Sequence, residues 1–390
     1  SVIGVATASI LIVPVFYNLL ESKGQVGDAM KFSFAFQINP VDILSKLAIG
    51  GFDTASGWSA GPNLPNIYIG ALGFIGFILY FTSKQVAKEK RWAAGAVTLV
   101  FLISFVNEFV SKIWHMGQNP AGFFFRFSWL FSFFMLVLAY QVVKGQVEVS
   151  RRGKLLSAIL LVLSALYLYT KNFTYLPKTQ PEALTQFLSK NFIVFWLLLV
   201  AISGAFSYLY WSRSRKAPQV KKIVLLIACS VVFLLGILLQ TGYLLSQVVL
   251  TLLVYLAVIF LLRTRMTRLA ILALSALTIF ELGYKAYLSQ VTFGYADVDK
   301  FVDATVSVKQ VTDDVQKQAD QPFYRIATTF AYSKTVPSLV SYPGLSTFSS
   351  SLERTTMDQF AYMGDQGINA ATEYENGTLL TDALYGVRYY

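Results

Sequence analysis

The sequence predicts an all-α polytopic membrane domain of about nine transmembrane helices, residues 1–288, followed by a small extracellular α+β domain, residues 289–390. Three observations predict it. The 390 residues are 55% hydrophobic and 14% charged, with a mean hydropathy of +0.55; a soluble domain carries about a quarter charged residues. Apolar stretches long enough to cross a bilayer recur through the first three quarters of the chain. The charge is also divided. Residues 1–288 hold 25 basic and 9 acidic side chains, and 289–390 hold 7 and 12. The net charge of +11 therefore sits on the apolar part, as expected of basic cytoplasmic loops, and argues against a nucleic-acid partner. Cys229 lies alone in an apolar run, which excludes a disulfide framework and a cysteine-based metal cluster.

The predicted spans fall at about 2–20, 67–82, 92–113, 127–143, 155–170, 191–211, 223–239, 244–262 and 269–288. Loops 83–91, 144–154, 212–222 and 263–268 carry sixteen Lys and Arg; the alternate loops 21–66, 114–125, 171–190 and 240–243 carry six. The basic set is cytoplasmic by the positive-inside rule, so the alternate loops and the acidic tail are expected outside. Loop 21–66 is long and rich in glycine and proline, and Pro40–Leu47 within it fits a re-entrant or interfacial helix. The tail reads as helical over Val308–Gln318, strand-like over Phe323–Thr329, and rich in Ser, Gly and Thr over Ser341–Leu352. The chain starts inside a span and stops in a strand-like run, so it is expected to be a fragment of a larger protein.

The residues able to do chemistry lie in the outside loops. His115 is the sole histidine, placed in the compact loop 114–125, and Arg126 opens the next span. An imidazole can orient or protonate an anionic headgroup near neutral pH, and a guanidinium holds phosphate by paired hydrogen bonds. The competing reading makes both of them membrane anchors. Two pairs, Glu108/Lys112 and Glu281/Lys285, are spaced at i,i+4 near span ends. Ionisable groups in spans are functional candidates, but this spacing and order is also the favoured helix salt bridge, and at that shallow depth the bridge is the better expectation. Asp28, Asp42 and Asp53 are the aspartates of loop 21–66, with Asp53 a weak candidate for a general base. The cofactor stays open: a divalent metal is one option, and no ligand set for it is evident. No phosphate-binding GxxxxGK[ST] run is present, which argues against an ATP-driven transporter.

Two segments, Gly61-Pro62-Asn63-Leu64-Pro65-Asn66-Ile67-Tyr68-Ile69-Gly70 and Trp114-His115 through Asn119-Pro120-Ala121-Gly122-Phe123-Phe124-Phe125-Arg126-Phe127-Ser128, together with Phe323–Ile326, Ser341–Ser350 and Leu380–Tyr389, resemble the bacterial YfhO family over nearly the whole chain. The resemblance implies a fold like the GT-C class of glycosyltransferases. It implies transfer of a sugar from an undecaprenyl-phosphate carrier to a lipoteichoic or wall teichoic acid on the extracellular face. On that reading Arg126 and His115 bind the donor phosphate, and Asn63, Asn66, Tyr68 and Asn119 line the loops that meet the acceptor. The partners are then the bilayer, the lipid-linked sugar and a teichoic-acid-type polymer. The catalytic carboxylate of GT-C enzymes typically lies in a first outside loop ahead of this chain. The rival classes are a flippase or transporter for a lipid-linked sugar or polymer, which needs a continuous polar path between spans, and a non-catalytic envelope scaffold.

Overall fold

A computed structural model describes residues 2–21, 34–51, 63–115, 123–145, 147–177, 182, 186, 242–262, 268–292, 297–330, 332–349, 351–368 and 370–390. The predicted spans 191–211 and 223–239, Cys229, Asp28, Asp53 and Asn119 lie outside the described residues. The chain divides into two compact units: Ser33–Trp114 with Gly122–Gly294, and Ser1–Phe32 with His115–Ala121 and Tyr295–Tyr390.

The larger unit is helical. After a 3-10 segment, Pro40–Leu47, come α2 (Gly70–Thr82), α3 (Lys88–Val106), α4 (Glu108–Ile113), α5 (Ser128–Val143), α6 (Arg151–Thr170), α7 (Tyr243–Leu261) and α8 (Arg268–Thr292); α1, Val2–Glu21, belongs to the other unit. Among the described residues three helices, Arg151–Thr170, Tyr243–Leu261 and Ala270–Thr292, are long and apolar enough to cross a membrane, and Ala6–Tyr17, Gly70–Thr82 and Ser128–Val143 are shorter apolar helices. The protein is thus mostly helical and built for a membrane. The predicted span 92–113 is interrupted. Asn107 ends α3 in an extended conformation, and its side chain accepts from Val110 N at 3.0 Å as the N-cap of α4. A lone bridge pairs Asn107 with Phe36, which draws the start of the 3-10 region onto this break.

Small residues set the packing. A Cβ on Gly76 of α2 would lie 2.9 Å from the Ala139 Cβ of α5, and one on Gly153 of α6 would lie 2.3 Å from Thr82 Oγ1. Backbones approach this closely only through such positions, the usual device where lipid removes the hydrophobic drive between helices. Lys154 Nζ donates to Ile259 O at 2.7 Å and to Leu262 O, so a cation sits on the final carbonyls of α7.

The 3-10 segment starts exposed, at Pro40 and Val41, and ends buried. Ser45, Lys46, Leu47, Ala48 and Ile49 are all buried. Hydroxyls on the long helices satisfy its backbone: Ser164 Oγ of α6 donates to Leu44 O at 2.6 Å, and Thr251 Oγ1 of α7 accepts from Ile49 N at 3.0 Å. Irregular backbone among apolar helices is stable only when protein groups supply its partners. Asp42 is held from the side by the hydroxyls of Tyr167 and, at 2.6 Å, Tyr175.

In the other unit, α9 (Val298–Gln318) starts on Asp297, whose Oδ1 accepts from Asp299 N and Lys300 N at 3.1 and 3.3 Å. It begins ten residues before the expected helical stretch at Val308. Strands β1 (Arg325–Ile326) and β5 (Val387–Tyr389) pair in parallel; β2 (Thr347–Phe348), β4 (Ala371–Glu373) and β3 (Gln366–Ile368) form an antiparallel sheet in that order. Three short helices complete this α+β region: α10 (Val336–Val340), α11 (Arg354–Tyr362) and α12 (Leu379–Tyr385). The expected strand over Phe323–Thr329 is shorter than its alternation suggests, since only Arg325 and Ile326 pair.

Candidate functional site

Three ionisable side chains of the larger unit, Lys46, Glu281 and Lys285, lie where the 3-10 segment, the stretch leading into α2, and α8 meet. Lys46, 2% exposed, directs Nζ to Asn66 Oδ1 at 3.1 Å and to Gly51 O at 3.4 Å. Lys285 of α8 brings its Nζ to the same Gly51 carbonyl at 3.5 Å and lies over the Tyr68 ring, 5.2 Å from its centroid. Tyr68 donates its hydroxyl to Glu281 Oε1 at 2.5 Å. The same oxygen accepts from Ala71 N at 2.7 Å.

Local backbone makes this possible. A Cβ on Gly51 would stand 2.5 Å from Ser45 O, so only glycine lets this turn close and present its carbonyl to both lysines. Gly70 opens α2 at φ +77°, and a Cβ there would meet Leu282 and Glu281 at 3.3 and 3.4 Å. No side chain of the preceding residue, Ile69, caps α2. Glu281, fully buried, does that work from another helix by binding the Ala71 amide in the first turn. The sequence expectation of a salt bridge along one helix therefore holds for Glu108 and Lys112, 2.7 Å apart. It does not describe Glu281, whose Oε1 partners come from the opposite element. Its other oxygen, Oε2, is buried with no hydrogen-bond partner among the described residues; Asn63 Oδ1 is in the same position.

A second feature surrounds the other sequence candidates. Trp114 stacks on Phe127 with centroids 4.8 Å apart and planes at 10°, and on Phe101 at 5.5 Å and 17°. Its Nε1 donates to Ser104 Oγ at 3.0 Å, and Phe127 stacks in turn on Phe105 at 5.3 Å. Arg126 is exposed between buried Phe125 and Phe127, in the turn that leads into α5. His115, one residue past the C-cap of α4, is half-buried. The histidine groups with the unit that contains the tail and Arg126 with the helical unit. Of the proposed acceptor residues, Asn66 and Tyr68 join the lysine cluster and Asn63 lies in the same stretch; Asn119 and Asp53 fall outside the described residues. Among the described residues no group of three or more His, Cys, Asp or Glu is placed to hold a metal ion.

The family described as bacterial membrane protein YfhO matches residues 1–390, the whole chain. The chain belongs to the YfhO family. No curated protein and no solved structure matches it. For this YfhO-family protein, Lys46 is what sequence reasoning passed over, and Lys285 was read only as the helix partner of Glu281. The signals were present: a lone lysine among Ile43, Leu44 and Leu47, and a Glu–Lys pair in a helix whose other interior residues are largely uncharged.

Proposed function

We propose that this YfhO-family chain is the core of a membrane glycosyltransferase. It moves a sugar from an undecaprenyl-phosphate carrier to a teichoic-acid-type polymer on the extracellular face. One observation supports the reading beyond family membership: on a bundle of apolar helices, charged and hydrogen-bonding side chains from three separate segments meet beside irregular backbone. Ionisable groups at such a place are costly and are kept for work on polar substrates. A substrate whose tail lies in lipid and whose head is a sugar phosphate needs such a boundary.

In the proposed reaction a bond forms between the acceptor hydroxyl oxygen and the sugar C1. The bond from C1 to the carrier phosphate oxygen breaks, and undecaprenyl phosphate leaves with the electron pair. The acceptor proton goes to a carboxylate, for which Asp53 is the candidate within this chain. Arg126, with His115, holds the departing phosphate, where a fixed cation lowers the barrier most. Asn63, Asn66, Tyr68 and Asn119 meet the acceptor. A requirement for a divalent metal is read directly from whether EDTA abolishes transfer.

The decisive comparison is the sugar content of teichoic acids in cells with and without the full-length gene. The expected result is loss of one sugar, restored by the wild-type gene and not by Arg126→Ala. Unchanged glycosylation in the deletion strain would overturn the transferase reading and favour transport of a lipid-linked sugar or a scaffold role.

A further inference from the structure

We propose that the first half of α9 is a membrane-surface anchor, its exposed apolar stripe lying in the headgroup layer of the bilayer face at which α8 ends. The inference does not depend on the transferase reading. Val298, Val302 and Val306 recur every four residues, so they share one side of the helix. They are 70%, 48% and 49% exposed. Phe301 beside them is 42% exposed, although its ring meets Tyr332 edge-on with centroids 5.8 Å apart. The far side of the same turns carries Lys300, Asp303 and Ser307, all exposed. Apolar side chains facing water in register are not the single scattered ones that any surface shows. The stripe is also confined to the half of α9 that follows α8. Its next positions are Lys309 and Asp313, which pair at 3.0 Å. From Val308 onward the other side of the helix packs on the tail: Val308 and Thr312 are buried, and Val308 joins the cluster of Ile326, Val340 and Tyr342. The core of the tail covers that half and leaves the stripe exposed.

Chain length says what covers it. The 23 residues Ala270–Thr292 of α8 are long and apolar enough to cross a membrane. They rise about 35 Å, against a hydrocarbon thickness of about 30 Å, so Thr292 comes to the headgroup layer. Only residues 293–297 separate it from the first turn of α9. That connection reaches about 20 Å at most, and the stripe itself is about 12 Å long. A soluble partner would have to be recruited, whereas a bilayer surface is always present at that distance. The charges nearby do not select an anionic surface, since Asp299 and Asp303 outnumber Lys300. Attachment is therefore by apolar burial at the interface and not by a basic patch.

The test uses full-length protein with Cys229→Ser, spin-labelled through Val302→Cys or, as the control, Val311→Cys. Val311 is 65% exposed and lies nine residues on from Val302, half a turn round the helix. Each protein is placed in nanodiscs of phosphatidylcholine alone and of phosphatidylcholine with phosphatidylglycerol. Collisions with oxygen, which concentrates in lipid, are compared with collisions with a water-borne nickel chelate. The oxygen-to-nickel ratio is expected to be about fivefold or more higher at 302 than at 311, and the same in both lipids. Equal ratios at the two positions overturn the anchor. A label at 302 shielded from both reagents does so too, because it marks a protein partner or a second copy of the chain. A label-free measurement guards against disturbance by the nitroxide. Val302→Asp together with Val306→Asp should speed hydrogen exchange over 298–307 by about tenfold in nanodiscs and leave Val336–Val340 unchanged; Val311→Asp, the same change on the far side, should do neither. Unchanged exchange over 298–307 in the double variant, or an equal rise in both segments, overturns the proposal.

Discussion

Glu281 shows how much one side chain can settle. Its Oε1 closes the first turn of α2 and receives the Tyr68 hydroxyl, so three segments depend on a single atom. Glu281→Leu should therefore cost about 2–3 kcal/mol, because a buried hydroxyl and a buried amide both lose their acceptor. Glu281→Gln should cost less, since an amide oxygen can still accept. Thermal unfolding of the two variants in one detergent checks the order; equal losses would mean that the capping role is wrong. Tyr374 plays a comparable part in the tail. It donates to Asp382 Oδ1 at 2.8 Å and lies 2.8 Å from Thr381 Oγ1, and Tyr390 reaches the same Asp382 oxygen at 2.6 Å. Burial, first, and the Asp382 carboxylate push both phenols above their ordinary value. A phenol whose proton is held more tightly in the folded state gives stability that is complete below about pH 10, the unfolded value, and fades as pH rises beyond it. Protection factors of the tail in the intact chain, corrected for the base-catalysed intrinsic rate, should thus fall above that pH, and Tyr374→Phe should blunt the fall while costing about 1–2 kcal/mol at neutral pH.

At the scale of elements, the break at Asn107 shows what the sequence could and could not tell. Hydropathy averages over many residues, so 92–113 reads as one span; a single capping amide divides it into α3 and α4. Asn107→Ala should remove that cap and cost about 1 kcal/mol. If circular dichroism and unfolding are unchanged, the division does not depend on the side chain. Pro40–Leu47 was legible because its proline, amphipathic pattern and position in a long loop are local signals. The meeting of Lys46 with Lys285 was not, since 239 positions of sequence separate residues that share one carbonyl only after folding. The Glu281 pairing misled for a related reason: i,i+4 spacing is visible in a sequence, and an acceptor for the next helix is not. Motif residues fared in between. Asn66 and Tyr68 were singled out through the family resemblance, and the structure gives them partners in the lysine cluster.

For the whole molecule, apolar composition and uneven charge foretold a membrane protein, and the described helices and family membership agree. The orientation remains a proposal argued from loop charge, and it has a direct test. A cysteine introduced at Ser349 in a Cys229→Ser background should react with an impermeant reagent applied to intact cells, and one at Gln219 should not. The opposite pattern would invert the molecule and put the lysine cluster on the cytoplasmic side, away from teichoic acid. The tail has its own hydrophobic centres, one around Val308, Ile326, Val340 and Tyr342 and another around Phe360, Tyr374 and Tyr385. That self-sufficiency suits a region expected to stand in water while the helices stand in lipid.

The ring stack of Trp114 on Phe127 joins the two ends of the segment between them like a clasp on a necklace. A strand of beads held at its clasp can be restrung without disturbing the wearer. Lengthening or exchanging residues 116–122 should therefore leave the melting temperature of the helices nearly unchanged, because loop closure depends only weakly on length once the ends are fixed. Trp114→Ala opens the clasp, and it should make the same exchanges costly.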